Sequence, residues 1–338
     1  MKNARVQTAG ETMMDNVRDA ILDRSIVWSF DRSGFLRHAR RFRVEDLDVD
    51  LTGRVCLVTG ANSGIGRAAA TALASRRADV YLLCRDRARG AEAVNAIRRA
   101  TGNNRVHLEV VDVSHLASVR AFAERYAPPH VDVLIHNAGV LPATRQETPE
   151  GLELTLATNV VGPFLLTHLL HAKLAAAGGA RVIFVSSGGM YARRLSLDDL
   201  QWTQRRFDGV TAYAQTKRMQ VVLTELLARR WSRAGIAVHC MHPGWADTPA
   251  VRSSIPRFYR VMRNRLRPPE EGADTVVWLA VAQATIPSGR FWLDRAPQPT
   301  HWLPFTVEEP RDRVRLWRTC ERLAGLGPRS GQRRRADG

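Results

Sequence analysis

Residues 59–66 read Thr-Gly-Ala-Asn-Ser-Gly-Ile-Gly and lie between an apolar run, 54–59 (RVCLVT), and a segment of helical periodicity, 65–77. The glycines let the backbone turn tightly and approach a pyrophosphate, and the helix that follows offers free N–H groups and the positive end of its dipole. A glycine triplet alone is a weak signal, and its spacing here is G-x-x-x-G-x-G rather than G-x-G-x-x-G. The flanking strand and helix supply the context that a dinucleotide site requires, so the stretch predicts a nucleotide-binding turn.

Short apolar runs alternate with longer helical segments from about residue 54 to about residue 293. The runs are rich in Val, Ile and Leu, as strands covered on both faces are. Repetition of strand, helix and strand with right-handed crossovers builds a parallel sheet. We therefore predict one α/β catalytic domain over residues 51–295, with a doubly wound, Rossmann-type, parallel seven-stranded sheet. The predicted strands are 54–59, 79–84, 106–111, 131–136, 181–186, 236–241 and 290–293, and the helices are 65–77, 86–100, 115–126, 151–175, 211–233 and 270–282.

Two extensions flank this domain. Residues 1–50 are predicted to be a partly flexible helical arm, with an apolar patch around Trp28 and Phe30 and then a basic stretch. We expect the arm to pack on the domain, and contact with a membrane surface or with a second copy of the chain, as in a homo-oligomer, stays open. Residues 296–338 are predicted to hold an amphipathic helix around Val314–Leu326 and then a disordered basic tail.

Charge and composition exclude several classes of protein. The formal net charge is +17, with 50 Lys+Arg against 33 Asp+Glu, but the excess is spread along the chain and accompanies no nucleic-acid motif, so we expect no nucleic-acid partner. No apolar run approaches the ~18 residues of a membrane span, and the N-terminus lacks a secretory signal. We therefore expect a cytoplasmic protein, with membrane association through residues 1–50 left open. The four cysteines form no CxxC pair or metal-like cluster, so no metal site is expected.

Six further motifs follow the glycine turn in order. They are Asp112-Val113, Asn137-Ala138-Gly139, Asn159-Val-Val-Gly, Val-Ser-Ser187, Tyr213-x-x-x-Lys217 and the P-G-x-x-x-T motif from Pro243 to Thr248. Together the seven motifs, spread over about 190 residues, resemble the signature of the short-chain dehydrogenase/reductase family. The resemblance implies an oxidoreductase whose catalytic residues are Asn159, Ser187, Tyr213 and Lys217. The cofactor-binding residues that it implies, together with Tyr213, Lys217 and Arg85, are Gly60, Asn62, Ser63, Gly64, Ile65, Gly66, Asp112, Val113, Asn137, Ala138, Gly139, Pro243, Gly244 and Thr248.

The chemistry of the candidate catalytic residues agrees with this. Tyr213 and Lys217 are four positions apart, hence on one face of a helix. A phenol titrates near 10 in isolation, and a neighbouring ammonium favours the phenolate. Ser187 is placed to hydrogen-bond a substrate oxygen, and Asn159 to hold a water beside Lys217 in a proton relay. The cofactor supplies the hydride, and the protein supplies placement and proton transfer.

The end of the second predicted strand decides the choice of cofactor. An acidic residue there binds the ribose 2′-hydroxyl of NAD, whereas an arginine accommodates the 2′-phosphate of NADP. The sequence has Arg85 followed by Asp86, which either opposes the phosphate or caps the next helix. We predict NADP(H), with NAD(H) as the weaker alternative.

The segment between Ser187 and Tyr213 spans 26 positions, whereas many family members have about a dozen, and retinol-dehydrogenase-like members are similarly long. We expect it to border an apolar pocket for a small, lipid-like carbonyl or alcohol substrate. The alternatives are a cofactor-binding sensor or scaffold and a membrane-peripheral interaction protein on the same fold. The predicted pocket residues are Met190, Tyr191, Trp202, Trp245 and parts of 250–267. The stretches that narrow the resemblance to one animal branch of the family lie near residue 25 and at 186–190, 241–249, 272–275 and 288–295.

Overall fold

The predicted parallel sheet is present in a computed structural model, which describes residues 19, 22–23 and 25–326. Its strands are β1 Val55–Thr59, β2 Asp79–Cys84, β3 Val106–Val110, β4 Val133–His136, β5 Arg181–Val185, β6 Ala237–Met241, β7 Phe291–Leu293 and β8 Ala296–Gln298. Within the described residues these eight strands lie in the order β3-β2-β1-β4-β5-β6-β7-β8. Strands β1 to β7 pair in parallel and match the seven predicted runs to within two residues at each end.

The eighth strand is an addition to the predicted seven-stranded sheet. β8 pairs antiparallel with β7 through a two-residue turn, in which Asp294 and Arg295 have φ of +47° and +59°. Positive φ at both positions suits a tight hairpin, but the usual residues there are glycine and asparagine. Here ion pairs hold the turn: Asp294 lies 2.6 Å from Arg267, and Arg295 lies 2.7 Å from Asp274. The sequence lacks the usual hairpin signal, so the eighth strand was not predicted.

Helices cover both faces of the sheet, as a doubly wound domain requires. The helices are α1 Ile26–Phe30, α2 Arg32–Ala39, α3 Gly64–Ala74, α4 Arg87–Thr101, α5 Leu116–Arg125, α6 Leu154–Leu156, α7 Gly162–Leu169, α8 His171–Ala176, α9 Gly209–Trp231, α10 Pro249–Ser254, α11 Pro256–Met262, α12 Pro269–Val281 and α13 Pro310–Leu323. Side chains from α5, α7 and α9 fill one apolar core, and those from α3, α4 and α12 fill the other. A π-helical turn, Ala157–Val161, joins α6 to α7.

The N-terminal arm, α1 and α2, is hydrogen-bonded to the segment that follows β6. The N–H of Trp245 donates to the carbonyl of Phe30 at 2.7 Å. The guanidinium of Arg267 donates to the carbonyls of Ser29 and Asp31, at 2.9 and 3.1 Å. The described part of the arm therefore packs on the domain, and its contact with a membrane or a second copy stays a prediction.

Buried charges reinforce this docking. Arg267 and Asp294 have side chains that are 0% and 2% exposed, and they form an ion pair. On the arm, His38 places its Nδ1 2.6 Å from Asp294 Oδ2 and its Nε2 2.9 Å from Asp23 Oδ1. Burial lowers the pKa of His38, but hydrogen bonds and charge from the two aspartates outweigh it, so the pKa is raised overall. The imidazole therefore ties the arm to the β7–β8 turn most strongly when it is protonated.

The C-terminal extension contains the predicted amphipathic helix, α13. Its buried residues Leu316, Trp317 and Cys320 pack against the core that includes α7 and α9. The predicted basic tail lies outside the described residues, as does most of the chain before residue 25. In the described part of the chain, no helix combines the length and the apolar character needed to cross a membrane.

Candidate active site

The candidate site lies beyond the carboxyl ends of the neighbouring strands β1, β4, β5 and β6. Thr59 ends β1, and Asn137 and His242 directly follow β4 and β6. Ser187 is two residues beyond the end of β5. Because parallel strands end at one edge of a sheet, residues far apart in the chain meet there, and ligands of open α/β sheets bind outside this edge.

The glycine turn has the backbone geometry that its sequence predicts. Gly60 and Gly64 have φ of +66° and +54°, a region that side chains disfavour. At Gly66 a Cβ would lie 2.4 Å from Asn137 Nδ2, so only glycine fits there. Helix α3 begins at Gly64, and its N-cap Ser63 makes no side-chain capping hydrogen bond. The first N–H groups of α3 are thus presented at the turn, as anion binding requires.

Asn137 holds the glycine turn against β4. Its Nδ2 donates to the carbonyls of Thr59 and Gly60 at 3.0 and 3.3 Å. The N–H groups of Asn137 and Ala138 both donate to Thr59 Oγ1, each at 3.0 Å. Thr59 begins the glycine motif but is not among the predicted site residues, and it is the junction between the two loops. In the sequence, the signal for this role is that Thr59 is the last residue of a predicted strand and directly precedes a glycine.

Three further candidate cofactor residues, Pro243, Gly244 and Thr248, lie in the loop after β6. A Cβ on Gly64 would be 3.2 Å from Thr248 Cγ2, so the loop after β6 meets the glycine turn. Thr248 caps α10 by accepting from the N–H of Val251 at 3.3 Å. Gly244, which follows Pro243, has φ of +70° and packs directly against the guanidinium of Arg267. The loop that carries the P-G-x-x-x-T motif thus rests on the residue that docks the arm.

Asp112 and Val113 organise the turn after β3. Asp112 Oδ1 accepts from the N–H and the hydroxyl of Ser114, at 2.9 and 2.6 Å. Gly162 has no room for a Cβ, which would lie 1.7 Å from the carbonyl oxygen of Val113. The turn is therefore clamped on the start of α7.

Arg85 and Asp86 follow β2 and are both exposed. Asp86 is the N-cap of α4, and its Oδ1 accepts from the N–H of Arg89 at 3.0 Å. The sequence left two roles open for Asp86, opposing the phosphate or capping the next helix, and the structure shows it as the cap. The carbonyl of Leu83 accepts from the N–H of Gly60 at 2.8 Å, so the end of β2 lies next to the glycine turn. Arg85 follows this strand end directly.

Asn159 lies in the π-helical turn and is buried. Its Oδ1 accepts from the N–H of Val140 at 3.0 Å, and its Nδ2 donates to Thr216 Oγ1 at 2.9 Å. Its backbone carbonyl accepts from Gln220 Nε2 at 2.7 Å. Single π-turns within helices often mark functional sites. The side chain of Asn159 links the loop after β4 to α9, and the water that was predicted beside it stays a prediction.

Ser187, Tyr213 and Lys217 converge at the end of β5. The hydroxyls of Ser187 and Tyr213 are hydrogen-bonded, and Ser187 Oγ also accepts from the N–H of Gly189 at 3.2 Å. Lys217 Nζ lies 5.2 Å from the centre of the Tyr213 ring and donates to the carbonyl of Val185 at 2.9 Å. A proton donor, its hydrogen-bonding partner and a cation therefore share one small volume.

Burial disfavours the ionised forms of both titratable groups. It raises the pKa of Tyr213 above its ordinary value, and the hydrogen bond from Ser187 offsets this only in part. Burial also lowers the pKa of Lys217, to about 8. At neutral pH the tyrosine is thus a neutral phenol, which is the form that donates a proton to a substrate oxygen.

The predicted apolar pocket residues divide into two groups. Met190, Tyr191 and Trp202 are buried in the core, and the Tyr191 hydroxyl donates to the carbonyl of Pro299 at 2.8 Å. Trp245 is half-buried and makes an edge contact with Phe258 of α11, 5.2 Å between ring centres. Met190, Tyr191 and Trp202 are therefore core residues, whereas Trp245 is partly exposed next to α11.

The part of the chain that contains these residues is similar to known proteins. Residues 54–257 match the model of the family described as short chain dehydrogenase. The chain is 44% identical to Dehydrogenase/reductase SDR family member 12 of Bos taurus, over 90% of this chain and 98% of that protein. This relative belongs to the animal branch that the sequence motifs indicate.

More distant similarity extends to proteins whose names state a substrate or a cofactor. Retinol dehydrogenase 12 of Homo sapiens is 34% identical over 82% of this chain and 89% of its own length. The structure of 3-ketoacyl-(acyl-carrier-protein) reductase from Brucella melitensis, complexed with NADH, superposes with a TM-score of 0.59 at 26% identity, covering 72% of this chain and 96% of that one.

Proposed function

This chain belongs to the short-chain dehydrogenase family, and we propose that it is an NADP(H)-dependent oxidoreductase that interconverts a carbonyl and an alcohol on an apolar substrate. The observation that carries the proposal is the convergence of Ser187, Tyr213 and Lys217 beside the glycine turn. A scaffold that only bound a cofactor would have no need of all three groups in one place.

The residues at the glycine turn fit a dinucleotide. The uncapped start of α3 and the left-handed backbone at Gly60 and Gly64 leave N–H groups and space for a pyrophosphate. When bound, the nicotinamide cofactor supplies or accepts the hydride. Preference for NADP(H) is supported by Arg85, which is exposed beside the turn, and by Asp86, whose carboxylate is used as a helix cap. A guanidinium is suited to bidentate binding of a 2′-phosphate.

The chain's own groups would then move the proton. In carbonyl reduction the hydroxyls of Ser187 and Tyr213 bind the substrate oxygen, and the phenol of Tyr213 donates its proton to it. The ammonium of Lys217, 5.2 Å from the ring centre, stabilises the phenolate that remains. Because burial raises the pKa of Tyr213, the phenol stays protonated at neutral pH and can donate its proton to the substrate oxygen.

An apolar substrate is supported by two aromatic side chains and by one relative. Trp245 and Phe258 present aromatic surface next to the loop after β6. The name of retinol dehydrogenase 12 states a long apolar alcohol as its substrate. We therefore propose lipid-like aldehydes, ketones or alcohols as the substrate class.

The test is NADPH oxidation by the purified chain against a panel of apolar aldehydes and ketones that includes retinal. We expect turnover of at least one of them, and binding of NADPH detected by nucleotide fluorescence. NADPH binding without turnover of any member of the panel would instead favour a cofactor-binding sensor. Failure to bind either nicotinamide cofactor would reject the proposal outright.

A further inference from the structure

Gln220 joins two of the candidate catalytic residues. It lies on α9, three residues after Lys217, and is 1% exposed. Its Oε1 accepts from Lys217 Nζ at 3.2 Å, and its Nε2 donates to the backbone carbonyl of Asn159 at 2.7 Å. Both ends of one amide are thus used, one on the cation and one on the π-helical turn.

The position calls for an explanation because the residues that flank Gln220 in the sequence are apolar. Met219, Val221 and Val222 are all buried in the core. An amide placed there without hydrogen bonds would destabilise the fold, and an apolar side chain would not need them. The bonds that Gln220 makes are with the candidate site rather than with another part of the core, which indicates a role in that site.

Lys217 depends on a small set of neutral acceptors. It is 2% exposed, and its ammonium donates to the carbonyl of Val185 and to Gln220. In the described part of the chain, no acidic side chain forms an ion pair with it. The titratable groups that face it are Tyr213 on its own helix and the Cys240 thiol on β6, whose pKa burial raises to about 12. Each neutral acceptor therefore matters to the charged state of the lysine.

We propose that Gln220 is a positioning residue, which holds the Lys217 ammonium against Tyr213 by tying it to the Asn159 carbonyl. The amide bridges the Lys217 ammonium and the Asn159 carbonyl directly. This inference rests on the proposed function, in which Lys217 stabilises the Tyr213 phenolate. An amide has a fixed shape, so it sets the distance between the two residues more firmly than an exchangeable water does.

The consequence is a defined change when the amide is removed. In Gln220→Met a side chain of similar length replaces the amide, and the ammonium loses one acceptor. A hydrogen bond to a charged group has an energy equivalent to about one pKa unit, so the pKa of Lys217 should fall by about that much. A less protonated lysine stabilises the phenolate less, so the acid limb of alcohol oxidation should move to higher pH by a similar amount.

A second variant separates this role from a merely structural one. Gln220→Ala leaves room for water, which can accept from Lys217 and donate to the Asn159 carbonyl. We therefore expect Gln220→Ala to be less stable than Gln220→Met but more active. Met219→Leu, the neighbouring buried residue, is the control and should leave both the pH profile and activity within about twofold of the parent.

The chain offers a direct readout that does not depend on turnover. It has only three lysines, Lys2, Lys173 and Lys217, so the pKa of Lys217 can be followed by NMR of protein labelled with ¹³C at lysine Cε. We expect a fall of about one unit in Gln220→Met, little change in Met219→Leu, and an intermediate value in Gln220→Ala.

The kinetic arm measures kcat and KM against pH for alcohol oxidation. At pH values below the midpoint of the acid limb, we expect kcat of Gln220→Met to be about tenfold lower than that of the parent. KM and the Kd for NADPH should stay within about twofold of the parent values. An unchanged lysine pKa in Gln220→Met, or activities that follow the order of stability of the two variants, would overturn the proposal. If Gln220→Met lowers the pKa of Lys217 but the parent turns over no substrate, the proposed function is rejected. The conclusion that Gln220 positions Lys217 would then still stand.

Discussion

Tyr213 and Lys217 illustrate how environment sets chemistry at the residue scale. The same burial raises the pKa of the phenol and lowers that of the ammonium, so each group tends towards its neutral form. From the sequence we expect the lysine to lower the pKa of the tyrosine, because the sequence shows the pair without its buried surroundings. The hydrogen bond from Ser187 is the contact in the structure that stabilises the phenolate directly. Proton donation is therefore the easier task for this site at neutral pH.

Replacing Tyr213 with phenylalanine removes the hydroxyl and keeps the ring. We expect at least ~100-fold loss of activity, because a positioned acid/base is lost. The Kd for NADPH should stay within about twofold, since the backbone around the glycine turn is untouched. Steady-state kinetics and fluorescence titration measure the two quantities. Tyr126→Phe, at a buried tyrosine of the core, is the matched control. Activity of Tyr213→Phe close to that of this control would remove Tyr213 from the proposed role.

Arg85 carries the proposed preference for NADP(H). A charge-assisted pair with a 2′-phosphate is worth roughly 10- to 150-fold in affinity, so Arg85→Ala should weaken NADPH binding by that order and leave NADH binding almost unchanged. Titration of both cofactors at fixed salt checks this. Arg99→Ala, at an exposed arginine near the other end of α4, should change neither affinity. Equal losses for the two cofactors, or a parent that prefers NADH, would contradict the NADP assignment.

At the scale of elements, the arm formed by α1 and α2 is part of the structure that surrounds the site. Phe30 lies 4.4 Å from the ring of His242 and 6.1 Å from that of Trp245, measured between ring centres. The ring also blocks any side chain at Gly188, where a Cβ would lie 2.5 Å from Phe30 Cε2. Residue 188 follows the candidate catalytic serine directly, so the arm fixes the backbone next to the chemistry.

Truncation of Phe30 tests this coupling. Phe30 is 2% exposed, and Phe30→Ala should lower the free energy of unfolding by about 3–5 kcal/mol. Leu36→Ala on the same arm removes a side chain that is 51% exposed and should cost less than about 0.5 kcal/mol. Urea unfolding of the three proteins measures both values. Similar stabilities for the two variants would show that the arm contributes little to the fold.

The arm should also respond to pH through His38. The pKa of His38 is raised in the folded state, so its full contribution to stability is present below its unfolded-state pKa of about 6.5. That contribution is lost as the pH rises through its folded-state pKa. His38→Gln should therefore lower Tm at pH 6, by on the order of 2 °C or more, and lower it less at pH 9. Thermal melts at the two pH values give the comparison. A larger difference at pH 9 would reverse the assigned direction.

At the scale of the whole molecule, local patterns account for the fold class and for most of the site. Strands β1 to β7 and the glycine turn follow from short-range periodicity and spacing, and the pair of Tyr213 and Lys217 follows from the resemblance that the ordered motifs carry. The β7–β8 turn does not, because Asp294 and Arg295 adopt positive φ only where distant ion pairs hold them. Gln220 carries no motif, and its meaning depends on the π-helical turn that α9 meets.

The docking of the arm also has a consequence for how the chain is made. Its partners lie far ahead in sequence: Asp31 bonds to Arg265 across 234 positions, and His38 to Asp294 across 256. The ribosome releases the arm before these partners, and at roughly 5–20 residues per second some 10–50 s pass before they emerge. The nascent chain therefore carries Phe30 and Phe35, which are buried in the folded protein, without their final cover through most of translation. Closure of the arm over the finished sheet is then a late event in biogenesis, and until it happens this aromatic segment is a natural client for chaperones.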